Sequence, residues 1–383
     1  MGTDLSSVTK TFGILTAGGD CPGLNAAIRG VCCAASSRYN MRIIGISDGF
    51  RGLIGGDARE LNTGDFSGIL TLGGTILGAS REKPFKPDLH PPGASPPDAK
   101  PPGLQLKNSE IPQDKVAAIK ENYHKLGLDC LVVLGGNGTQ STAYRLVKEG
   151  LNVLGLPKTI DNDIVGTDRT FGFNSALAVA TEAIDRLHST AQSHSRVMVM
   201  ELMGHKAGWL ALMAGISSGA DLILIPEIPY DIKSIGRHLE KRAARGINHS
   251  VVVVAEGALS TEESKMDKKD RKIHRAGTVN PSIAYRVARE IEAETGMETR
   301  ATVLGYVQRG GIPSATDRLL ATSLGAAAAD LLARGEYGRM VALAGNTICP
   351  VDLSIPADKI KTVPHDHYMI DTALSVGSSF GEA

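Results

Sequence analysis

Residues 130–156, CLVVLGGNGTQSTAYRLVKEGLNVLGL, decide the fold class of this chain. An apolar run, Cys130–Leu134, ends in a glycine turn, Gly135-Gly136-Asn137-Gly138-Thr139. A helical pattern over Ser141–Glu149 follows, and then a second apolar run, Leu151–Leu156. Strand, glycine turn, helix and strand together spell a parallel sheet, because parallel neighbours need a crossover helix between them. The same order appears upstream, where Thr11–Thr16 leads through a glycine turn to a helix from about Leu24 and a strand at Arg42–Ile46. Downstream, Ser175–Thr190 places Leu177, Thr181, Ile184 and Leu187 on one helical stripe, with Asn174 as the expected cap. Val197–Glu201, Leu222–Ile225 and Ser250–Ala255 have the length and composition of buried strands. The expected fold class is α/β, with two Rossmann-like three-layer α/β domains built on mainly parallel sheets.

Composition agrees with this and removes other classes. The chain has 383 residues, long enough for two domains, and 44 glycines exceed the average usage of about 7%. Forty-one basic residues balance 41 acidic ones, so no global charge draws the chain to nucleic acid or to an anionic membrane. Met1–Lys10 is polar and lacks the apolar core of a secretory signal, and the stretch from Leu210 to Pro229 is interrupted by Ser217, Ser218 and Asp221. Five cysteines without a CxxC pair argue against a disulfide framework or a zinc site and suit a reducing cytoplasm. Cys21, inside a glycine loop, reads as a small filler rather than a nucleophile, since no partner base is evident. Residues 84–113 form a Pro-rich insertion that holds nine of the 18 prolines, which disfavours helix and predicts a surface loop.

Three glycine turns are expected at strand ends: Gly18–Gly23, Gly73-Gly74-Thr75 and Gly135–Thr139. Glycine there lets backbone N–H groups and a helix N-terminus approach phosphate, so the trio points to a polyphosphate site. No GxxxxGK[ST] is present. Gly136-x-Gly138-x-x-Ser141, with Asp161 about 20 residues on, comes near a dinucleotide fingerprint and keeps an NAD-dependent oxidoreductase as a rival reading. Pro157-Lys158-Thr159-Ile160-Asp161-Asn162-Asp163 favours phosphoryl transfer: one carboxylate can accept a proton, the other can help hold Mg²⁺, and Lys158 can offset phosphoryl charge. The same residues also occur as plain turn chemistry.

Eight motifs in matching order make the chain resemble the phosphofructokinase family from about residue 11 to 325. They are GGDCPGLNAAIRG (18–30), GGT with LGASR (73–81), GGNGT (135–139), PKTIDND (157–163), SHSR (193–196), MG within ELMGHKAGW (201–209), AEG (255–257) and ETRATVLGYVQRGG (298–311). The resemblance implies a phosphoryl-donor domain over 1–172 plus 308–358 and a sugar-phosphate domain over 173–307 plus 359–383, with the active site in the cleft between them. It implies Asp161 as general base, with Lys158 and Thr159 as catalytic neighbours and Asn137 and Asp163 as the metal positions for Mg²⁺. Gly19, Arg81, Gly136, Gly138 and Thr139 match donor-binding positions. Thr159, Asp161, Arg196, Met203, Gly204, Glu256, Arg300, Tyr306 and Arg309 match the sugar-phosphate pocket. Arg196 and Arg300 are expected to reach a neighbouring subunit's site, which implies a homo-oligomer, a dimer or tetramer.

The chain departs from the family pattern at several positions. Asn137 stands where an acid commonly binds metal, Tyr306 where a histidine commonly touches sugar phosphate, and His205 where an arginine is common. Cys33 and His188 replace arginines of the effector site of regulated members. Gly138 leaves room for a nucleotide, whereas Lys158 is typical of pyrophosphate users. Gly138 weighs more, because steric exclusion is decisive and a lysine suits either donor. The expected activity is transfer from ATP to the 1-hydroxyl of fructose 6-phosphate. A pyrophosphate-dependent enzyme, a non-catalytic paralogue and the oxidoreductase stand as alternatives.

Overall fold

The computed structural model describes residues 9–86, 114–276 and 282–382. It contains two sheets. The first is built from β1 (Thr11–Ala17), β2 (Arg42–Ile46), β3 (Ala58–Glu60), β4 (Cys130–Gly135), β5 (Val153–Thr159) and the short β6 (Phe171–Gly172). The second takes β7 (Val197–Leu202), β8 (Leu222–Leu224), β9 (Ser250–Ala255) and β10 (Thr299–Val303). The chain then returns to the first sheet with β11 (Arg339–Ala344) and β12 (Thr347–Asp352).

The first sheet runs β12-β11-β5-β4-β1-β2-β3, with β6 beside β5. Its centre is parallel, and only the outer strands β12 and β3 pair antiparallel with their neighbours. The second sheet, β10-β7-β9-β8, is parallel throughout. Central strands are buried along their whole length, β4 (CLVVLG) and β9 (SVVVVA) included, as strands covered by helices on both faces must be. One continuous apolar core joins Phe12, Leu134 and Leu156 of the first sheet to Met200 and Val253 of the second and to Leu210 of the helix Trp209–Ser217. Separate cores fill the outer faces.

The helices Leu24–Tyr39 and Ala315–Arg334 pack backbone to backbone on the first sheet. A Cβ at Gly30 would lie 2.8 Å from the Thr322 carbonyl oxygen, and one at Gly325 would lie 2.7 Å from the Val31 nitrogen. That close crossing binds the returning segment to the first motif of the chain.

Several boundaries differ from the sequence reading. β5 runs on through Pro157, Lys158 and Thr159, since these side chains are as buried as the residues before them. The helix placed at Ser141–Glu149 begins at Asn137, so part of the glycine turn is helical. The Ser175–Thr190 helix spans Phe173–His194 and starts from Gly172, so Asn174 lies inside its first turn and does not cap it. The turn at Gly73-Gly74 follows the 3₁₀ turn Ile69–Thr71, not a strand, and hangs on the Asn25 side chain, whose amide bonds the Leu72 and Gly73 carbonyls. Of the Pro-rich segment, residues 87–113 lie outside the described residues. No helix among the described residues is long and apolar enough to cross a membrane.

Gly30→Val should separate the two helices and destabilise the fold by about 1–3 kcal/mol, the usual cost of overpacking. The check is a lowered midpoint of chemical denaturation. An unchanged midpoint would mean the crossing is not close-packed.

Candidate active site

The carboxyl ends of β1, β4 and β5 open into a cleft of about 670 Å³, and the loop after β7 closes its far side with His205 and Lys206. Parallel strands end here by topology, so their turns and helix N-termini converge on one place. Gly19, Arg81, Gly136, Asn137, Gly138, Thr139, Lys158, Thr159, Asp161, Asp163 and Arg309, all singled out by sequence, line it together. The lining carries seven cationic side chains (Arg81, Lys83, Lys86, Arg145, Lys158, Lys206, Arg309) against four anionic ones (Glu82, Asp161, Asp163, Asp358). A chain of zero net charge thus concentrates positive charge at one cleft, the arrangement that attracts polyanions.

The turn after β5 is built by its own side chains. Thr159 Oγ1 donates to Asp161 Oδ2 at 3.1 Å and accepts from the Asp161 backbone N–H at 3.1 Å. Asn162 takes the left-handed conformation (φ 52°), and its Oδ1 accepts from the Thr170 N–H at 3.1 Å. Asp161 Oδ1 is left buried with no hydrogen-bond partner among the described residues. A buried acceptor without a donor is costly unless a ligand supplies one. Asp163 is pushed up to about 7 by burial and then by the neighbouring Asp161 charge, with the Asn137 amide working against both.

Lys158 Nζ is buried and donates to the Gly19 carbonyl, and burial pushes its ammonium below the usual lysine range. Arg309 Nη1 donates to the Asp20 carbonyl at 3.1 Å. Neither cation has a carboxylate within ion-pair distance among the described residues. A Cβ at Gly19 would sit 2.6 Å from Arg309 Nη1, so the glycine is what admits the guanidinium. Gly138, by contrast, has nothing within 4 Å of where a Cβ would be, and the space above it is open cleft. It lies in the first turn of the helix Asn137–Lys148, whose N-cap Gly136 has no capping side chain, so free N–H groups face the cleft.

The donor set for a cation is oxygen. Asn137 Nδ2 donates to the Asp163 carbonyl at 3.1 Å, which leaves Asn137 Oδ1 buried and without a partner. No group of three or more His, Cys, Asp or Glu side chains is placed to hold a metal among the described residues. The Asp163 carboxylate and the Asn137 amide oxygen, completed by water and substrate phosphate, nevertheless fit Mg²⁺, which keeps much of its hydration.

The sugar-side residues divide. Glu256, after β9, uses Oε1 to accept from the backbone N–H groups of Gly204 (3.2 Å) and His205 (2.7 Å), so Met203-Gly204 and Glu256 form one rim beside the cleft. Arg196 and Arg300 are elsewhere. Arg196 precedes β7 while Gly204 follows it, and six strand residues at roughly 3.3 Å each put about 20 Å between them. Both arginines share Glu298, which lies 2.7 Å from Arg196 Nη2, and Arg300 is half exposed. Tyr306 is 72% exposed, beside the exposed Val303 and Val307. Cys21 is fully buried and its thiol is pushed up to about 12 by burial, which fits the filler reading.

Sequence reasoning missed Lys83, Phe85, Lys86, Arg145 and Asp358 in the cleft wall. The Arg145 guanidinium lies over the Phe85 ring at 5.8 Å and reaches Asp358 at 3.4 Å. Arg145 stands about two turns along the same helical face as Gly138, a signal available in the sequence. Asp358 comes from the distant returning segment and had none.

Comparisons with known proteins converge on one family. Residues 11–332 match the family model described as phosphofructokinase. An ATP-dependent 6-phosphofructokinase of Spirochaeta thermophila is 64% identical over 98% of both chains. An ATP-dependent 6-phosphofructokinase 3 of Bacteroides thetaiotaomicron is 49% identical over 97% of this chain and 99% of its own. Among solved structures, the Pichia pastoris phosphofructokinase in the T-state matches with a TM-score of 0.75 at 32% identity, over 93% of this chain and 36% of its own. A pyrophosphate-dependent phosphofructokinase of Marinobacter aquaeolei shares the fold, with a TM-score of 0.75 over 97% of this chain and 88% of its own, at 21% identity. A near-whole-length match, carried by the same turns that build the cleft, places this chain in the phosphofructokinase family.

Proposed function

We propose that the chain transfers the γ-phosphoryl group of ATP to the 1-hydroxyl of fructose 6-phosphate, giving fructose 1,6-bisphosphate, as a cytoplasmic glycolytic enzyme. The observation that carries this reading is Asp161. One of its oxygens is held by Thr159, the other has no hydrogen-bond partner among the described residues, and the residue lines a cleft rich in cations. A carboxylate so held can take the proton of an attacking hydroxyl. Lys158, Arg81 and Arg309 supply positive charge for the donor phosphates, and the first-turn N–H groups at Asn137 and Gly138 add the helix dipole. Asn137 and Asp163 would hold Mg²⁺, which offsets the charge of the donor phosphates when bound.

We assign the donor to the half formed by residues 1–172 and 308–358, and the sugar phosphate to 173–307 and 359–383. Met203, Gly204 and Glu256 sit on the sugar side of the cleft. Arg196 and Arg300, paired with Glu298, do not line their own cleft, nor does Tyr306, which is exposed beside Val303 and Val307, and this supports their service to a neighbouring subunit in a homo-oligomer.

Lys158 favours pyrophosphate as an alternative donor, and the open space over Gly138 favours the longer nucleotide. A donor panel with ATP, ADP, GTP and pyrophosphate decides between them. ATP should support bisphosphate formation; turnover with pyrophosphate alone would overturn the assignment. Chelating Mg²⁺ should abolish turnover and adding it back should restore it.

Asp161→Asn keeps the Thr159 contact and removes the base, so kcat should fall by about 10²–10⁴-fold. A near-normal rate would refute the role.

Gly138→Asp fits sterically, because the space is open. It sets a carboxylate against the donor phosphates, and like charges brought together cost several kcal/mol, so ATP turnover should drop by about 100-fold or more. The measurement is kcat/KM for ATP in the variant against the parent chain.

A further inference from the structure

We propose that Lys361 is a positioning residue for phosphoryl transfer, clamping the Asp161–Asp168 turn to the sugar-side half through Trp209. This rests on the functional reading above.

Lys361 lies beyond β12, outside the residues matched by the family model, and is carried on the segment that passes from the first half to the second. It is half-buried, and its polar atoms engage both halves at once. Nζ donates to Asn162 Oδ1 at 3.2 Å, to the Thr167 carbonyl at 2.9 Å and to the Asp168 carbonyl at 3.0 Å. Its backbone N–H donates to the Asp163 carbonyl at 2.7 Å. Its own carbonyl accepts from Trp209 Nε1 at 2.8 Å, and its ammonium stands 5.6 Å from the centre of the Trp209 ring.

Trp209 opens the helix Trp209–Ser217, directly after the Met203–Lys206 loop that closes the cleft. Two residues on, the Val363 N–H donates to Glu227 Oε1 at 2.9 Å, and Glu227 also accepts from the Gly208 N–H. Residues 361–363 therefore bond on one side to the turn that carries Asp161 and Asp163, and on the other to the start of the helix behind the sugar rim.

The turn needs such a hold. Asn162 sits in a left-handed conformation, which asparagine adopts more readily than other non-glycine residues, and its side chain is fixed from two directions. Its side-chain oxygen receives one bond from within the turn, from Thr170, and one from Lys361. Replacing Lys361 with an apolar residue strips Asn162 Oδ1, Thr167 O and Asp168 O of a shared charged donor. Asp161 would keep its Thr159 contact but lose its fixed place relative to the opposite half. The loss should appear in the rate of transfer more than in the binding of either substrate.

The experiment compares Lys361→Met, Trp209→Phe and the double variant with the parent enzyme in steady-state kinetics. Lys361→Met should lower kcat by about 10²-fold, the scale of a 1 Å misplacement, while KM for ATP and for the sugar phosphate stays within about threefold. Trp209→Phe, which removes the indole N–H together with one ring at the other end, should lower kcat in the same sense. The double variant should lose less than the product of the two, since the residues act through one clamp. A Lys361→Met enzyme with parental kcat, or one whose loss falls equally on every KM, would overturn the proposal. So would strictly multiplicative losses.

Trp209 is the single tryptophan of the chain, so its emission reads the clamp without any turnover. Lys361→Met should red-shift it and raise its acrylamide quenching; unchanged emission and quenching would overturn the clamp. A parent chain that turns over no donor would instead sink the functional reading, and this optical comparison would then decide the clamp on its own. If Lys361→Met does not fold, Trp209→Phe carries the kinetic test.

Discussion

Two cations with no carboxylate partner among the described residues, held by main-chain carbonyls, are the constraint on which this site depends. Lys158 donates a hydrogen bond to the Gly19 carbonyl and Arg309 donates one to the Asp20 carbonyl, so both are oriented without a carboxylate beside them among the described residues. An ion pair would have cancelled the charge. Backbone carbonyls fix the geometry and leave a positive basin for a polyanion. The glycine at position 19 follows from this, because a side chain there would displace the guanidinium.

The remainder of the cleft completes that basin with acceptors. Asp161 and Asn137 each present a buried oxygen with no donor among the described residues, and burial, then the neighbouring Asp161 charge, pushes Asp163 up to about 7. These features are unfavourable in the protein alone. They become favourable when a hydroxyl proton, a cation and phosphate oxygens are supplied together. The fold stabilises the arrangement from outside the site, through the Gly30–Gly325 helix crossing and through the strap around Lys361.

Much of the site could be read in the sequence because its parts are local. GGNGT and PKTIDND each place several groups within one turn, and a short motif carries its own geometry. The errors were also local. Strand β5 outlasts its apolar run because burial, not residue type, decides where pairing ends, and Lys158 is buried despite its charge. Asn174 has the chemistry of a cap, yet Gly172 occupies the site because the chain leaves β6 in a left-handed conformation that favours glycine. The Gly73-Gly74 turn lies away from the cleft and serves Asn25 instead, a contact between loops that no local pattern announces.

The sequence by itself determined the α/β class, the parallel sheets, the family and the residues at the bottom of the cleft. Each depends on periodicity or on groups close together in the chain, where covalent connection sets the geometry. Only the tertiary structure decided that Arg196 and Arg300 sit at the far end of β7 and β10 from the rim at Gly204, and that Asp358 and Lys361 return to the site. It also decided which oxygens stay unpaired and how the helix after β4 aims its N–H groups. Those outcomes depend on how distant segments pack, and the distance between segments along a chain carries no information about their distance in space.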